Sequence, residues 1–124
     1  MEICIVDDDR VYQLLMKRLI NRIDGNIAIR TFYNGEDAFN YYKNNHCKCQ
    51  IMLLDINMPK MDGWEFLENI SKEDFKDSCI YLATSSIDYS DQERAKQFDK
   101  VKGYLTKPIT KEKILEIFFS FLCT

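Results

Sequence analysis

The chain has 124 residues, 46% of them hydrophobic and 30% charged, with a net charge of −3 at pH 7 and a pI of about 5.2. That length suits one domain around a single core, and the mildly acidic balance argues against nucleic acid or an anionic membrane surface as the main partner. No apolar run approaches the roughly 20 residues a membrane helix needs, and Met1-Glu2-Ile3 lacks the basic start of a secretory signal.

Ile3-Cys4-Ile5-Val6 is a continuous apolar run, the pattern of a strand covered on both faces. Val11, Leu14, Leu15, Leu19 and Ile23 then recur at helical spacing, and Asp24-Gly25-Asn26 ends that helix. Residues 27–32 alternate only partly, with Arg30 inserted, which predicts an edge strand. Asn34-Gly35 reads as a turn, and Ala38, Phe39 and Tyr42 mark a second helix. Ile51 to Leu54 is a third, fully apolar strand that ends on the carboxylate of Asp55. Asn57, Pro59 and Gly63 turn the chain, and Trp64, Phe66, Leu67 and Ile70 predict a third helix. Cys79 to Ala83 is a fourth strand. Ser90-Asp91-Gln92-Glu93 has the form of a capping box opening a fourth helix. Gly103 to Thr106 is a short fifth strand, and Thr110 can cap a last helix over 111–122. This alternation predicts an α/β domain over residues 1–124, five βα units on a parallel sheet with helices on both faces.

The five cysteines, Cys4, Cys47, Cys49, Cys79 and Cys123, are odd in number, and Cys4 and Cys79 sit inside apolar runs. They read as thiols of a reducing cytoplasm. His46-Cys47-Lys48-Cys49 lacks the second ligand pair of a zinc site and reads as an exposed loop.

In an open α/β sheet the site lies beyond the carboxyl ends of the strands. Those ends carry Asp7-Asp8-Asp9, Asp55, Thr84-Ser85-Ser86 and Lys107-Pro108. Crowded carboxylates repel one another, and a hard divalent cation such as Mg2+, which prefers oxygen ligands, relieves the repulsion. A carboxylate can also attack phosphorus, while a metal, a lysine and a hydroxyl neutralise the oxygens of the transferred group. Asp9 is well placed simply to cap the first helix.

Taken in order and spacing, Val6-Asp7-Asp8, Asp55-Ile56-Asn57-Met58-Pro59, Met61-Asp62-Gly63, Thr84 and Lys107-Pro108 resemble the receiver domain of two-component response regulators, of the stand-alone, chemotaxis-regulator-like kind. The resemblance implies a flavodoxin-like doubly wound fold with strand order 2-1-3-4-5. It implies that Asp55 takes a phosphoryl group from a histidine kinase or histidine phosphotransfer protein. It further implies that Asp7, Asp8, Asp55 and the Asn57 carbonyl hold Mg2+, and that Thr84 and Lys107 contact the phosphoryl oxygens. Thr84 and Tyr104 would form the switch, and Pro108 would follow a cis bond. Asn57 and Ser86 would bear on how fast the phosphoryl group is lost.

Two other readings compete. An aspartyl-phosphate phosphatase would need an acid two residues after Asp55, where Asn57 stands. A pseudo-receiver would lack one of the acids or the lysine, and none is missing. With no basic recognition motif in the chain, a downstream protein target is expected rather than DNA. On a helical wheel centred on Ile114, Ile117, Phe118 and Phe121 form a core stripe, whereas Leu115, Phe119 and Leu122 lie to one side. Of these, Leu115 and Phe119 are candidates for a partner or homodimer face beside the fifth strand.

Overall fold

Four consecutive apolar residues can all be buried only in a strand covered on both faces. Ile3 to Val6 occupy such a strand in the computed structural model, which describes residues 1–45, 49–72, 79–85 and 88–122. The strands β1 (Glu2–Val6), β2 (Ala28–Phe32), β3 (Ile51–Asp55), β4 (Cys79–Thr84) and β5 (Val101–Thr106) alternate with α1 (Arg10–Ile23), α2 (Gly35–Asn45), α3 (Gly63–Ser71), α4 (Tyr89–Ala95) and α5 (Lys111–Leu122). All strand pairs are parallel, and the order is β2-β1-β3-β4-β5, as expected. The Arg30-bearing strand is at one edge.

The pleat sorts each strand's residues into two cores. Cys4, Val6, Met52, Leu54, Ile80 and Leu82 face α2, α3 and α4, where they meet Ala38, Tyr42, Trp64, Phe66, Leu67, Ile70 and Ala95. Ile3, Ile5, Ile51, Leu53, Tyr81 and Ala83 face α1 and α5, against Met16, Ile20, Ile114 and Ile117. β1, β3 and β4 are therefore clamped from both sides. Their carboxyl ends form a rigid edge on which polar side chains can be held.

Three sequence expectations change. The buried face of α1 is Gln13, Met16 and Ile20, with Leu19 and Ile23 only partly covered. Val11, Leu14 and Leu15 are exposed. The helix is rotated so that Gln13 Nε2 reaches carbonyls at the strand ends, those of Ile5 (3.0 Å), Asp7 (3.1 Å) and Phe32 (2.9 Å). Buried strand-end carbonyls favour a donor beside them, although Gln13 Oε1 is itself buried with no partner among the described residues. The cap of α4 is Asp88 rather than Ser90: its carboxylate accepts the Ser90 N–H (2.9 Å) and hydroxyl (2.7 Å), so the helix starts one residue before Ser90. Cys49 is no exposed loop residue. It is buried and donates its thiol to the Ile51 carbonyl (2.8 Å). The remaining expectations at His46, Cys47, Ser86, Cys123 and the side chains of Phe121 and Leu122 lie outside the described residues.

Candidate functional site

β1 delivers Asp7 to the sheet edge, where its N–H donates to the Phe32 carbonyl (3.0 Å). Its side chain is almost fully buried, and Oδ1 accepts the Asp9 N–H (2.9 Å). Asp9 itself caps α1, accepting from the Val11 and Tyr12 N–H groups at 3.0 and 3.1 Å. That leaves Asp8, exposed, between a buried acid and a capping one. β3 ends on Asp55, buried in register with Ala83 of β4. β4 ends on buried Thr84, and Ser85 is exposed. The Thr84 carbonyl accepts the Lys107 N–H (2.7 Å), and the Lys107–Pro108 bond is cis, as expected.

The four strand ends converge. Lys107 Nζ donates to Asp7 Oδ2 at 2.5 Å and stands 3.8 Å from Asp55 Oδ1. Asp7, Asp8 and Asp55 each offer a carboxylate oxygen, all within 4.8 Å of one another. Burial and the neighbouring Asp7 push the Asp55 carboxyl up to about 6; Lys107 and the Asn57 N–H act against this, and Asp8 adds to it. Three carboxylates thus face one ammonium. Such a set of oxygen donors, short of one positive partner, fits a hard divalent cation.

The loop after Asp55 is held close to the strand end. The Gly63 N–H donates to the Ile56 carbonyl (2.8 Å), and a Cβ at Gly63 would come within 2.5 Å of the Asp55 carbonyl oxygen. Only glycine permits that approach. Asp62 caps α3 by accepting the Glu65 N–H (2.9 Å), and the Met61 carbonyl accepts the Gly35 N–H (3.0 Å), tying the loop to α2. Asn57 lies exposed at the mouth with its N–H on the Asp55 carboxylate. On the other side of Thr84, its hydroxyl shares a hydrogen bond with the Tyr104 hydroxyl, and Tyr104 is partly buried against the α2–α4 core.

Two residues at this edge are not apparent from the sequence pattern. Gln13 ties the ends of β1 and β2 together. Tyr12 lies beneath Lys107, its ring centroid 4.2 Å from Nζ. Tyr12 stands in the first turn of α1, three residues after the Asp9 cap and so close to the strand end that carries the acids; that position was the available signal.

The model of the response regulator receiver domain family matches residues 3–119. A two-component response regulator of Arabidopsis thaliana is 30% identical over 93% of this chain and 79% of its own length. A 3',5'-cyclic-nucleotide phosphodiesterase of Dictyostelium discoideum is 29% identical over 89% of this chain, which spans 14% of that protein's length. The crystal structure of a two-component response regulator from Legionella pneumophila superposes with a TM-score of 0.88 at 26% identity, covering 100% of this chain and 99% of that one.

Proposed function

The chain belongs to the response regulator receiver domain family, a signalling module of two-component systems, and from that footing we propose that Asp55 is its phosphoacceptor. The observation that carries the proposal is the convergence of Asp7, Asp8 and Lys107 on a buried carboxylate at the end of β3.

An Asp55 Oδ attacks the phosphorus of a phosphohistidine on a histidine kinase or phosphotransfer protein. The new O–P bond forms as the N–P bond breaks, and the leaving imidazole keeps the electron pair and takes a proton from solvent. Asp7, Asp8, Asp55 and the Asn57 carbonyl would hold Mg2+, which supplies charge neutralisation for the phosphoryl oxygens when bound. Lys107 turns its ammonium from Asp7 toward a phosphoryl oxygen, a movement its flexible stem allows. Thr84 turns its hydroxyl to another. In doing so it gives up its bond to Tyr104, so the Tyr104 ring is released to move. Such a shift alters partner binding only as far as a partner prefers one of the two arrangements.

Two faces serve partners in this reading. Val11, Leu14 and Leu15 are exposed on α1 beside the acid cluster, and every charged residue of that helix, Arg10, Lys17, Arg18 and Arg22, is a cation. That face suits an apolar, acidic docking surface on the phosphodonor. Phe119, 65% exposed, and half-buried Leu115 lie on α5, which packs on the α1 side of the sheet. They line a face for a downstream protein target or a second copy. Among the described residues no helix is long and apolar enough to cross a membrane. Cys4, Cys49 and Cys79 carry thiols, which supports a cytoplasmic site of action.

Incubating the protein with a phosphohistidine-bearing donor domain tests the proposal. Label is expected to pass to the wild-type chain and not to Asp55→Asn; equal transfer to both overturns the assignment.

A further inference from the structure

Among the described residues, two carboxylates and one aromatic ring lie close to the Lys107 ammonium. It donates to Asp7 Oδ2 at 2.5 Å, stands 3.8 Å from Asp55 Oδ1, and lies 4.2 Å from the centroid of the Tyr12 ring. Two are anions and the third is a neutral π face. A lysine ammonium is a strongly hydrated point charge on a four-carbon stem, and it stays in one place only when its surroundings hold it there. Here its side chain is only 18% exposed.

The Tyr12 hydroxyl is buried and has no hydrogen-bond partner among the described residues. Burial, together with the nearby Asp7 and Asp55, raises its pKa above the ordinary tyrosine value, so the group stays neutral. An unpartnered buried hydroxyl brings a desolvation penalty and no compensating bond. What the position offers the site is therefore the ring, whose negative face attracts a cation.

The two anionic neighbours are also members of the acid cluster. A divalent cation there competes with Lys107 for Asp7, and phosphorylation converts Asp55. The ring takes no part in either event. We infer that Tyr12 is a positioning residue for Lys107: its π face keeps the ammonium at the sheet edge when Asp7 and Asp55 are engaged elsewhere, so that Lys107 is in reach of the transferred phosphoryl group. This rests on the reading of Asp55 as phosphoacceptor. It adds that the competence of Lys107 depends on an aromatic ring at position 12.

Tyr12→Phe and Tyr12→Leu separate ring from hydroxyl, and Tyr12→Met replaces the leucine variant if that one does not fold. Two readouts apply. In protein free of metal and phosphate, NMR reads the ring-current shift of the Lys107 ε-methylene protons. With acetyl phosphate and saturating Mg2+, stopped-flow kinetics reads the phosphorylation rate, with Mg2+ half-saturation measured separately. Tyr12→Phe is expected to keep both the shift and the rate. Tyr12→Leu is expected to lose the shift and slow phosphorylation about 3- to 30-fold, with Mg2+ half-saturation unchanged. A folded Tyr12→Leu protein that reacts at the wild-type rate overturns the inference, and so does a Tyr12→Phe protein as slow as Tyr12→Leu. If wild type takes no phosphoryl group at all, the phosphoacceptor reading fails; the NMR shift then decides alone whether Tyr12 holds Lys107, and its absence in wild type overturns that too.

Discussion

Lys107 and Asp7, 100 residues apart in sequence, are joined by an ion pair of 2.5 Å at the sheet edge. The pair spans β3, because β1 lies on one side of that strand and β5 lies beyond β4 on the other. Asp55 therefore sits between an acid and an ammonium that already satisfy each other, and its own carboxyl is left 3.8 Å from the ammonium. The candidate phosphoacceptor is the least satisfied acid of the buried pair, which suits a group that must remain available to react.

That arrangement has a consequence for stability. The Asp55 carboxyl is raised from 3.8 to about 6 in the fold, first by burial and then by Asp7. Between about pH 4 and pH 6 the folded chain holds a proton on Asp55 that the unfolded chain has released, so this group's contribution to stability falls as pH rises through the window. Below about pH 4 the penalty is absent; above about pH 6 it is complete. Asp55→Asn is expected to be more stable than wild type at pH 7.5 without divalent cation, by about 1–2 kcal/mol after discounting for solvent screening at the open edge. The difference should vanish near pH 4. Urea unfolding midpoints at the two pH values measure it, and a difference independent of pH contradicts it.

Mg2+ is expected to bind without phosphate and to need Asp8, the exposed member of the acid cluster. Losing a ligand costs at least what losing an outer partner does, about tenfold in affinity. Trp64 comes directly after the loop, stacked on Phe98 with its ring centroid 6.2 Å away and with the Arg94 guanidinium 4.5 Å above it. It offers a fluorescence signal for the titration, with calorimetry as the check. Undiminished affinity in Asp8→Ala contradicts the metal site.

Gly63→Ala should damage fold and site together. The added Cβ meets the Asp55 carbonyl oxygen at 2.5 Å and Ile56 Cα at 2.9 Å, both backbone atoms that cannot swing aside. A cost of about 1–3 kcal/mol is expected, with Asp55 displaced and phosphorylation slowed. Chemical denaturation and phosphorylation kinetics on one preparation test both parts.

Leu15→Glu and Phe119→Glu change exposed residues on different helices, so each should alter stability by no more than about 0.5 kcal/mol. Leu15→Glu is expected to slow phosphotransfer from a protein donor while leaving reaction with acetyl phosphate unchanged. Phe119→Glu is expected to spare both transfers and weaken self-association or target binding of the phosphorylated form, read by sedimentation. A Leu15→Glu protein that accepts phosphate from the protein donor at the wild-type rate removes the docking role of α1.

Much of this was legible in the sequence because parallel βα alternation leaves little freedom. Apolar runs at 3–6, 51–54 and 79–83 must be central strands, and the residues at their carboxyl ends must share one edge. Asp7, Asp55, Thr84 and Lys107 came together for that reason. What the sequence hid lay in α1. Its most apolar stripe, through Val11, Leu14 and Leu15, is not its buried stripe, because strand-end carbonyls draw Gln13 inward. That rotation also puts Tyr12 under Lys107. Hydrophobic periodicity is blind to a helix oriented by a buried amide. The shift of the α4 cap from Ser90 to Asp88 has a similar cause, since a carboxylate two residues upstream captures both Ser90 donors.

The most direct test of Asp55 as phosphoacceptor is intact-mass spectrometry of wild type and Asp55→Asn after incubation with acetyl phosphate and Mg2+, with a chelator control. Wild type is expected to gain one phosphoryl group, lost when the chelator is present from the start, and Asp55→Asn none. An equal gain in both proteins, or no gain in a wild type shown to bind Mg2+, contradicts the assignment.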